Sequence, residues 1–293
     1  MNQLLNILRF TRPLYLGLAL LAYMLGLGIA RYLGTTLRFD AQLLGGILVI
    51  LLLAASGLFL AAFRPFNEPL LAGETRAERE TLHKRLLAFG TAFLGTASML
   101  FFLLLRSGLI KPESGLLLGA FAALALANAL PPLRLANRGF GEPVDAFLIA
   151  SLTPTLAFFL QTGEFHRLLN LITFPLFLIS LACFLALDFP KYADDLKYER
   201  RSLLTALTWQ QAIPVHHLLL VAAYGLLTAG PFLGVSFELV WPALLTLPLA
   251  AYQAFALRNI ANGAAPLWNV FKVVTIAVVG LTSYLLALAF WIN

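Results

Sequence analysis

Long apolar runs dominate the chain, separated by short polar stretches. Nine such runs, at about 13–33, 41–63, 86–106, 114–133, 144–161, 168–188, 212–230, 236–256 and 267–291, approach or exceed the roughly 20 residues that a helix needs to cross a bilayer. None shows the strict apolar–polar alternation of a barrel strand, so helices carry the fold. The link between the seventh and eighth runs is the tightest, with Gly230, Pro231 and Gly234 inside it.

Composition supports that pattern. Of 293 residues, 60% are hydrophobic and 12% are charged, with a mean hydropathy of +0.87. A soluble domain is about half apolar and about a quarter charged, and a globule of this size must still present a polar surface. Soluble enzyme, disulfide scaffold and disordered chain are excluded. The expected fold class is an all-α polytopic membrane protein, a single transmembrane domain over 1–293 with nine helices.

Charge adds orientation. Of the 20 Lys and Arg, only Arg31, Arg38, Arg106, Lys111 and Arg167 fall on one side of the nine-helix scheme. The rest lie at the N-terminus and after helices 2, 4, 6 and 8, which places those segments in the cytoplasm. The net charge of +6 is therefore topogenic, not a nucleic-acid patch, and no nucleic-acid partner is expected. Arg9 and Arg12 before the run 13–33 look like a signal peptide's basic region, but that run is too long for a signal core. The sole cysteine, Cys183, lies in an apolar run and is expected as a small core residue.

Two polar loops, 64–85 and 189–211, follow helices 2 and 6. Each has a proline near its start, Pro65 and Pro190, which suggests two related halves. In the second loop Asp188 and Asp195 are seven residues apart, two helical turns, and would share a face if the helix continued past Pro190. Carboxylates at a membrane boundary can hold Mg2+ together with substrate phosphate. Nearby Lys191, Lys197, Arg200 and Arg201 suit a diphosphate. The competing reading is a loop whose charges balance one another. After helix 4, Arg134, Arg138, Gly139 and Gly141 offer charge and backbone N–H groups to an anion; a turn with topogenic positive residues is the alternative.

Together these stretches resemble the UbiA superfamily of intramembrane prenyltransferases, in the subgroup that uses dihydroxynaphthoate-type acceptors. Asp188 to Leu203 is similar, without a gap, to the family's second motif, Asp-x-Pro-Asp-x-x-x-Asp-x-x-x-Gly-x-x-Thr-Leu: Asp188 and Asp195 match the outer acids, and Ser202-Leu203 the Thr-Leu. Pro131 to Glu142 resembles its Arg-Gly-x-Gly-Glu turn. Thr11-Arg12-Pro13, Pro69 to Glu74 and Leu160 to Gly163 add weaker similarity.

The resemblance implies nine helices around a central cavity open to the cytoplasmic side. It further implies Mg2+ as cofactor, a polyprenyl diphosphate as substrate, and an aromatic or lipid acceptor, as in quinone or lipid biosynthesis. The setting is a bacterial or archaeal inner membrane. By the same resemblance Asp188 and Asp195 are catalytic, metal-associated acids. Arg134 and Arg138 are diphosphate contacts, joined by Lys191 and Lys197. The family's first motif, Asn-Asp-x-x-Asp-x-x-x-Asp, should lie at the end of helix 2, where Leu53 to Arg64 holds no acid. The nearest polar candidates are Asn67 and Glu68. Lys191 replaces the middle acid of the second motif and Glu199 its glycine. A divergent prenyltransferase using fewer metals, a UbiA-fold protein that binds isoprenoid or quinone without turnover, and a transporter are the readings to separate.

Other polar residues carry structural expectations. Glu74, Glu78, Lys84 and Arg85 read as the solvated face of a loop helix. Asn128 and Gln253 read as interhelical hydrogen bonds. His216 and His217, adjacent on a helix, point apart and do not chelate together.

Overall fold

The computed structural model describes residues 7–64, 70–71 and 73–293. Asn67 and Glu68 lie outside the described residues. Among the described residues, nine helical segments are long and apolar enough to cross a membrane.

The first four crossings are single helices: α1 (Pro13–Tyr32), α2 (Phe39–Ala62), α3 (Arg76–Arg106) and α4 (Pro112–Ala129). The fifth is broken into α5 (Gly141–Phe147), a π-helical turn (Leu148–Leu152) and α6 (Thr153–Thr162), and the sixth is α7 (Arg167–Asp188). A 3₁₀ turn (Phe189–Lys191) and the short α8 (Tyr192–Lys197) lead to the seventh crossing, α9 (Leu203–Ala229). The eighth combines α10 (Phe237–Leu244) and α11 (Leu247–Ala261), and α12 (Trp268–Ile292) ends the chain.

Several boundaries differ from the hydropathy pattern for local reasons. Helix α3 starts ten residues before its apolar run, because Thr75 forms a capping box: its Oγ1 accepts from Glu78 N at 3.3 Å, and Glu78 Oε2 accepts from Thr75 N at 2.8 Å. Ser202 and Thr205 cap α9 in the same way, well ahead of the expected start at 212. That helix is interrupted at Thr208, whose φ of 66° and ψ of 160° are not helical. Helix α4 stops before Pro131 and Pro132, as a residue preceding proline disfavours helix.

One expected solvated group is in fact buried. Glu74 accepts from Leu70 N at 2.8 Å and Leu71 N at 3.3 Å, and pairs with Arg79 Nη1 at 3.3 Å with both side chains nearly inaccessible. Glu74 is thus not on the solvated face: the backbone N–H groups of Leu70 and Leu71 and the Arg79 guanidinium satisfy its carboxylate.

Lipid tails are as apolar as Leu, so packing is achieved by close backbone approach and interhelical hydrogen bonds. Gly26 of α1 shows the first: a Cβ built there would sit 2.1 Å from Pro154 O and 2.8 Å from Ala157 Cβ of α6. The second is a line of polar contacts. Ser56 Oγ donates to Ala125 O at 2.7 Å, Gln253 Nε2 donates to Thr275 Oγ1 at 3.1 Å, and Thr246 and Thr282 hydroxyls meet at 2.8 Å. Asn128 and Gln253 thus take the interhelical roles their sequence context suggests. His216 is buried and His217 approaches Ala254 O at 3.0 Å, yet the two rings meet edge to face with centroids 5.5 Å apart, so they do not point apart as expected. Cys183 is fully buried in the core.

Candidate active site

The starts of α1, α5 and α9 and the ends of α2 and α7 meet at one end of the bundle, and there they enclose a cavity of about 640 Å³. Apolar helices alone would leave such an end closed. Here charged residues at the helix ends line it.

Asp188 is the last residue of α7 and Asp195 lies on α8, and both line the cavity. Pro190 sits in the first turn of the 3₁₀ segment, where its missing N–H costs nothing, so the chain stays nearly helical and the two acids reach the same space. Lys191, also lining, approaches Asp188 Oδ1 at 3.8 Å across an exposed gap, a contact worth little. Asp195 is buried and accepts from Arg200 Nη1 at 3.1 Å, while Arg200 N donates to Asp195 O at 2.8 Å.

The turn after α4 enters from another side. Ala136, Asn137, Gly141 and Glu142 line the cavity. Gly139 N donates to Arg201 O at 3.1 Å, and Glu142 Oε2 accepts from Leu203 N at 3.0 Å, so the turn and the start of α9 are tied together. Glu142 also hydrogen-bonds the Asp188 side chain. Two carboxyl groups in that contact require a proton or a cation between them.

Residues to which the sequence gives no site role complete the wall. Arg12 precedes α1 in a left-handed conformation, φ 60° and ψ 62°, uncommon for a residue with a Cβ and a mark of functional sites. Its Nη1 pairs with Asp145 Oδ2 at 2.7 Å, and its guanidinium lies 3.5 Å from the centroid of the Tyr15 ring. Tyr15 in turn stacks on Phe184 with centroids 4.6 Å apart. Asn128 Nδ2 donates to Asp145 Oδ1 at 2.9 Å. Burial opposes the Arg12 charge, but Asp145 and then Tyr15 outweigh it and hold the guanidinium above its ordinary pKa. Asp145 lies inside the fifth apolar run. An ionisable residue within a membrane segment is itself a functional pointer, and this was the available signal.

The end of α2 contributes Gly57, Leu60 and Ala61, with Arg64 just beyond. No carboxylate comes from this side among the described residues. A Cβ at Gly57 would lie 2.9 Å from Phe10 O, so glycine there lets the turn carrying Arg12 sit against α2. Burial, then Arg12 and Arg79, push the Arg64 pKa down, against the pull of Asp195.

The remaining expected site residues lie elsewhere. Arg134 Nη2 donates to Phe63 O, Arg138 Nη2 donates to Pro132 O at 3.0 Å, and Lys197 rests 5.2 Å from the Tyr198 ring. None of the three lines the cavity. Arg134 acts instead as a strap between the 131–143 turn and the end of α2.

Among the described residues, no three His, Cys, Asp or Glu side chains gather closely enough to hold a metal ion alone. Asp145 and Asp195 are engaged by Arg12 and Arg200. The Glu142–Asp188 pair is different: a hard cation there would take the place of the shared proton, with phosphate and water completing its shell. The donor set thus fits one Mg2+, and among the described residues the α2 side adds no carboxylate for a second.

No family model and no curated protein matches the chain. Solved structures do. A UbiA homolog from Archaeoglobus fulgidus bound to GPP and Mg2+ is 15% identical, with a TM-score of 0.59 over 96% of this chain and 99% of its own. The same homolog bound to DMAPP and Mg2+ is 16% identical with the same TM-score and coverage. A digeranylgeranylglyceryl phosphate synthase structure is 15% identical, with a TM-score of 0.53 over 100% of this chain and 98% of its own. The chain is a multi-pass integral membrane protein with the UbiA fold.

Proposed function

We propose that this chain is a divergent UbiA-type prenyltransferase. It moves an isoprenoid from a polyprenyl diphosphate to an aromatic or lipid acceptor at the cavity where Asp188 and Asp195 meet. One observation carries the reading: acids and bases converge in a single cavity at the end of an apolar bundle, in a fold whose solved examples hold GPP or DMAPP with Mg2+. The allylic C–O bond breaks with its electron pair leaving on the diphosphate; the acceptor supplies the pair for the new bond and sheds a proton. Positive groups around the cavity stabilise the charge that develops on the leaving oxygen. The apolar bundle holds the tail and keeps water from the allylic cation.

Mg2+ fits at Asp188 and Glu142, where it would supply further charge to the leaving group. Lys191 stands at the same edge. Arg134, Arg138 and Lys197, in this reading, support the walls and the approach to the cavity. Asn67 and Glu68 belong to the segment after α2 and remain part of the proposed metal-associated set. The positive-inside distribution supports a cytoplasmic side for the cavity.

The test is pyrophosphate release from GPP by purified protein in lipid nanodiscs, with aromatic and lipid acceptors and Mg2+. Release that falls at least about a hundredfold in Asp188→Ala and Asp195→Ala supports the reading, a size typical of lost electrostatic stabilisation. The lack of acid from Leu53 to Arg64 favours a second reading, a binder without turnover. GPP binding with no release under any acceptor would select it.

A further inference from the structure

The opposite end of the bundle holds a second, smaller cavity of about 140 Å³, where the end of α1, the start of α7 and the stretch between α9 and α10 meet. Tyr32, His166, Arg167 and Ser236 supply its polar wall. Among the described residues no carboxylate lines it; Glu164 and Glu238, the nearest acids along the chain, are exposed and off the wall. Arg167 has no ion pair, side-chain hydrogen bond or ring contact among the described residues. Its guanidinium lies over the turn at Gly234, where an added Cβ would meet Nη2 at 2.9 Å, so glycine leaves the space that the cation occupies.

The other polar groups on the wall are available donors. His166 Nδ1 accepts from Leu168 N at 3.2 Å, which leaves the ring proton on Nε2. Ser236 precedes α10 without capping it, so its hydroxyl is open. A guanidinium, an imidazole N–H and open hydroxyls, with no acid between them, suit an anion. Position and charge select which anion. Arg167 is the first residue of a crossing helix, and Tyr32 is the kind of ring that gathers at headgroup level. One guanidinium balances the single charge of a phosphodiester and matches two of its oxygens. Leu33 and Leu171 complete the wall, and Phe165, Phe232 and Phe237 stand exposed in the segments that frame it, where acyl chains can cover them.

We infer that this cavity binds the phosphodiester of a membrane phospholipid, with Arg167 as the cationic contact and the acyl chains along the adjoining apolar helix ends. The site is separate from the cavity of Asp188 and Asp195, and the inference holds whether or not the chain transfers isoprenoid.

Native mass spectrometry of the full chain, stripped of lipid in detergent and titrated with dioctanoyl phosphatidylglycerol, tests it. One tightly held lipid per chain is expected, weakened at least about tenfold in Arg167→Gln, the size of a lost charge-assisted hydrogen bond. Arg167→Lys should recover part of the loss. Arg106→Gln removes the same charge at the same end of the bundle but off this wall, and should leave binding unchanged. Dioctanoylglycerol, which has the tails without the phosphate, should bind the unaltered protein at least about tenfold more weakly. That comparison stands even if an Arg167 variant does not fold. Equal retention of the two lipids, no retained lipid, or indifference to Arg167→Gln overturns the inference. So does inorganic phosphate that displaces the phospholipid at equal concentration, since the cavity would then be a seat for a soluble anion.

Discussion

Replacing Arg12 and Asp145 singly and together tests whether their ion pair organises the cavity. Breaking a buried pair by removing one partner costs about 3–5 kcal/mol, because the other charge is left uncompensated. Here Arg12 keeps 28% of its side chain exposed and Asp145 11%, so water softens the loss and about 2–3 kcal/mol is expected for each single variant. Arg12→Gln should be the costlier by about 1 kcal/mol, since it also removes the guanidinium from the face of Tyr15. Asp145→Asn keeps its shape and a partner in Asn128. The double variant should cost less than the sum of the singles by about 2 kcal/mol, the coupling of two groups in direct contact. Reversible unfolding in mixed micelles, followed by tryptophan fluorescence, measures all four proteins. Strict additivity, with a coupling below about 0.5 kcal/mol, would refute the assignment.

Helix packing gives a paired prediction. Gly26→Ala forces a Cβ to within 2.1 Å of Pro154 O and should destabilise by at least about 3 kcal/mol; Gly17→Ala, with nothing within 4 Å, should be neutral or stabilising by up to about 1 kcal/mol. Equal melting temperatures for the two would contradict the close approach of α1 and α6. Thr75→Ala removes the capping box of α3 at a cost of about 1 kcal/mol. Hydrogen exchange should then quicken at the amides of residues 76–79, and unchanged protection would count against the cap.

Hydrophobic runs locate the nine crossings found among the described residues, because a span's length and apolarity are set by the bilayer and not by partners. They misplace the starts of α3 and α9, where Thr75 and Ser202 extend helix into polar sequence that a hydropathy window reads as loop. That Asp188 and Asp195 line one cavity was legible because their spacing is local. Asp145 was not, since its partners Arg12 and Asn128 are 133 and 17 positions away and meet it only through folding. Arg134 and Arg138 show the converse: a motif placed them at the anion, and the turn's own backbone carbonyls and Phe63 O claim their side chains.

The π turn at Leu148–Leu152 sits between the two residues of this crossing that are fixed from outside: Asp145, held by Arg12, and Pro154, pressed against Gly26. A π turn carries one residue more than the regular helix it replaces, and one residue is about 100° of rotation. Deleting a single residue from 148–152 would restore a regular helix and leave both ends chemically intact, yet their facings would no longer agree. With Pro154 seated on α1, the carboxylate at 145 would turn about 100° out of the cavity; with that carboxylate kept on Arg12, the small-residue seam would be lost. The extra residue works as a phase corrector, letting one helix face two neighbours that no straight helix of this sequence could satisfy at once.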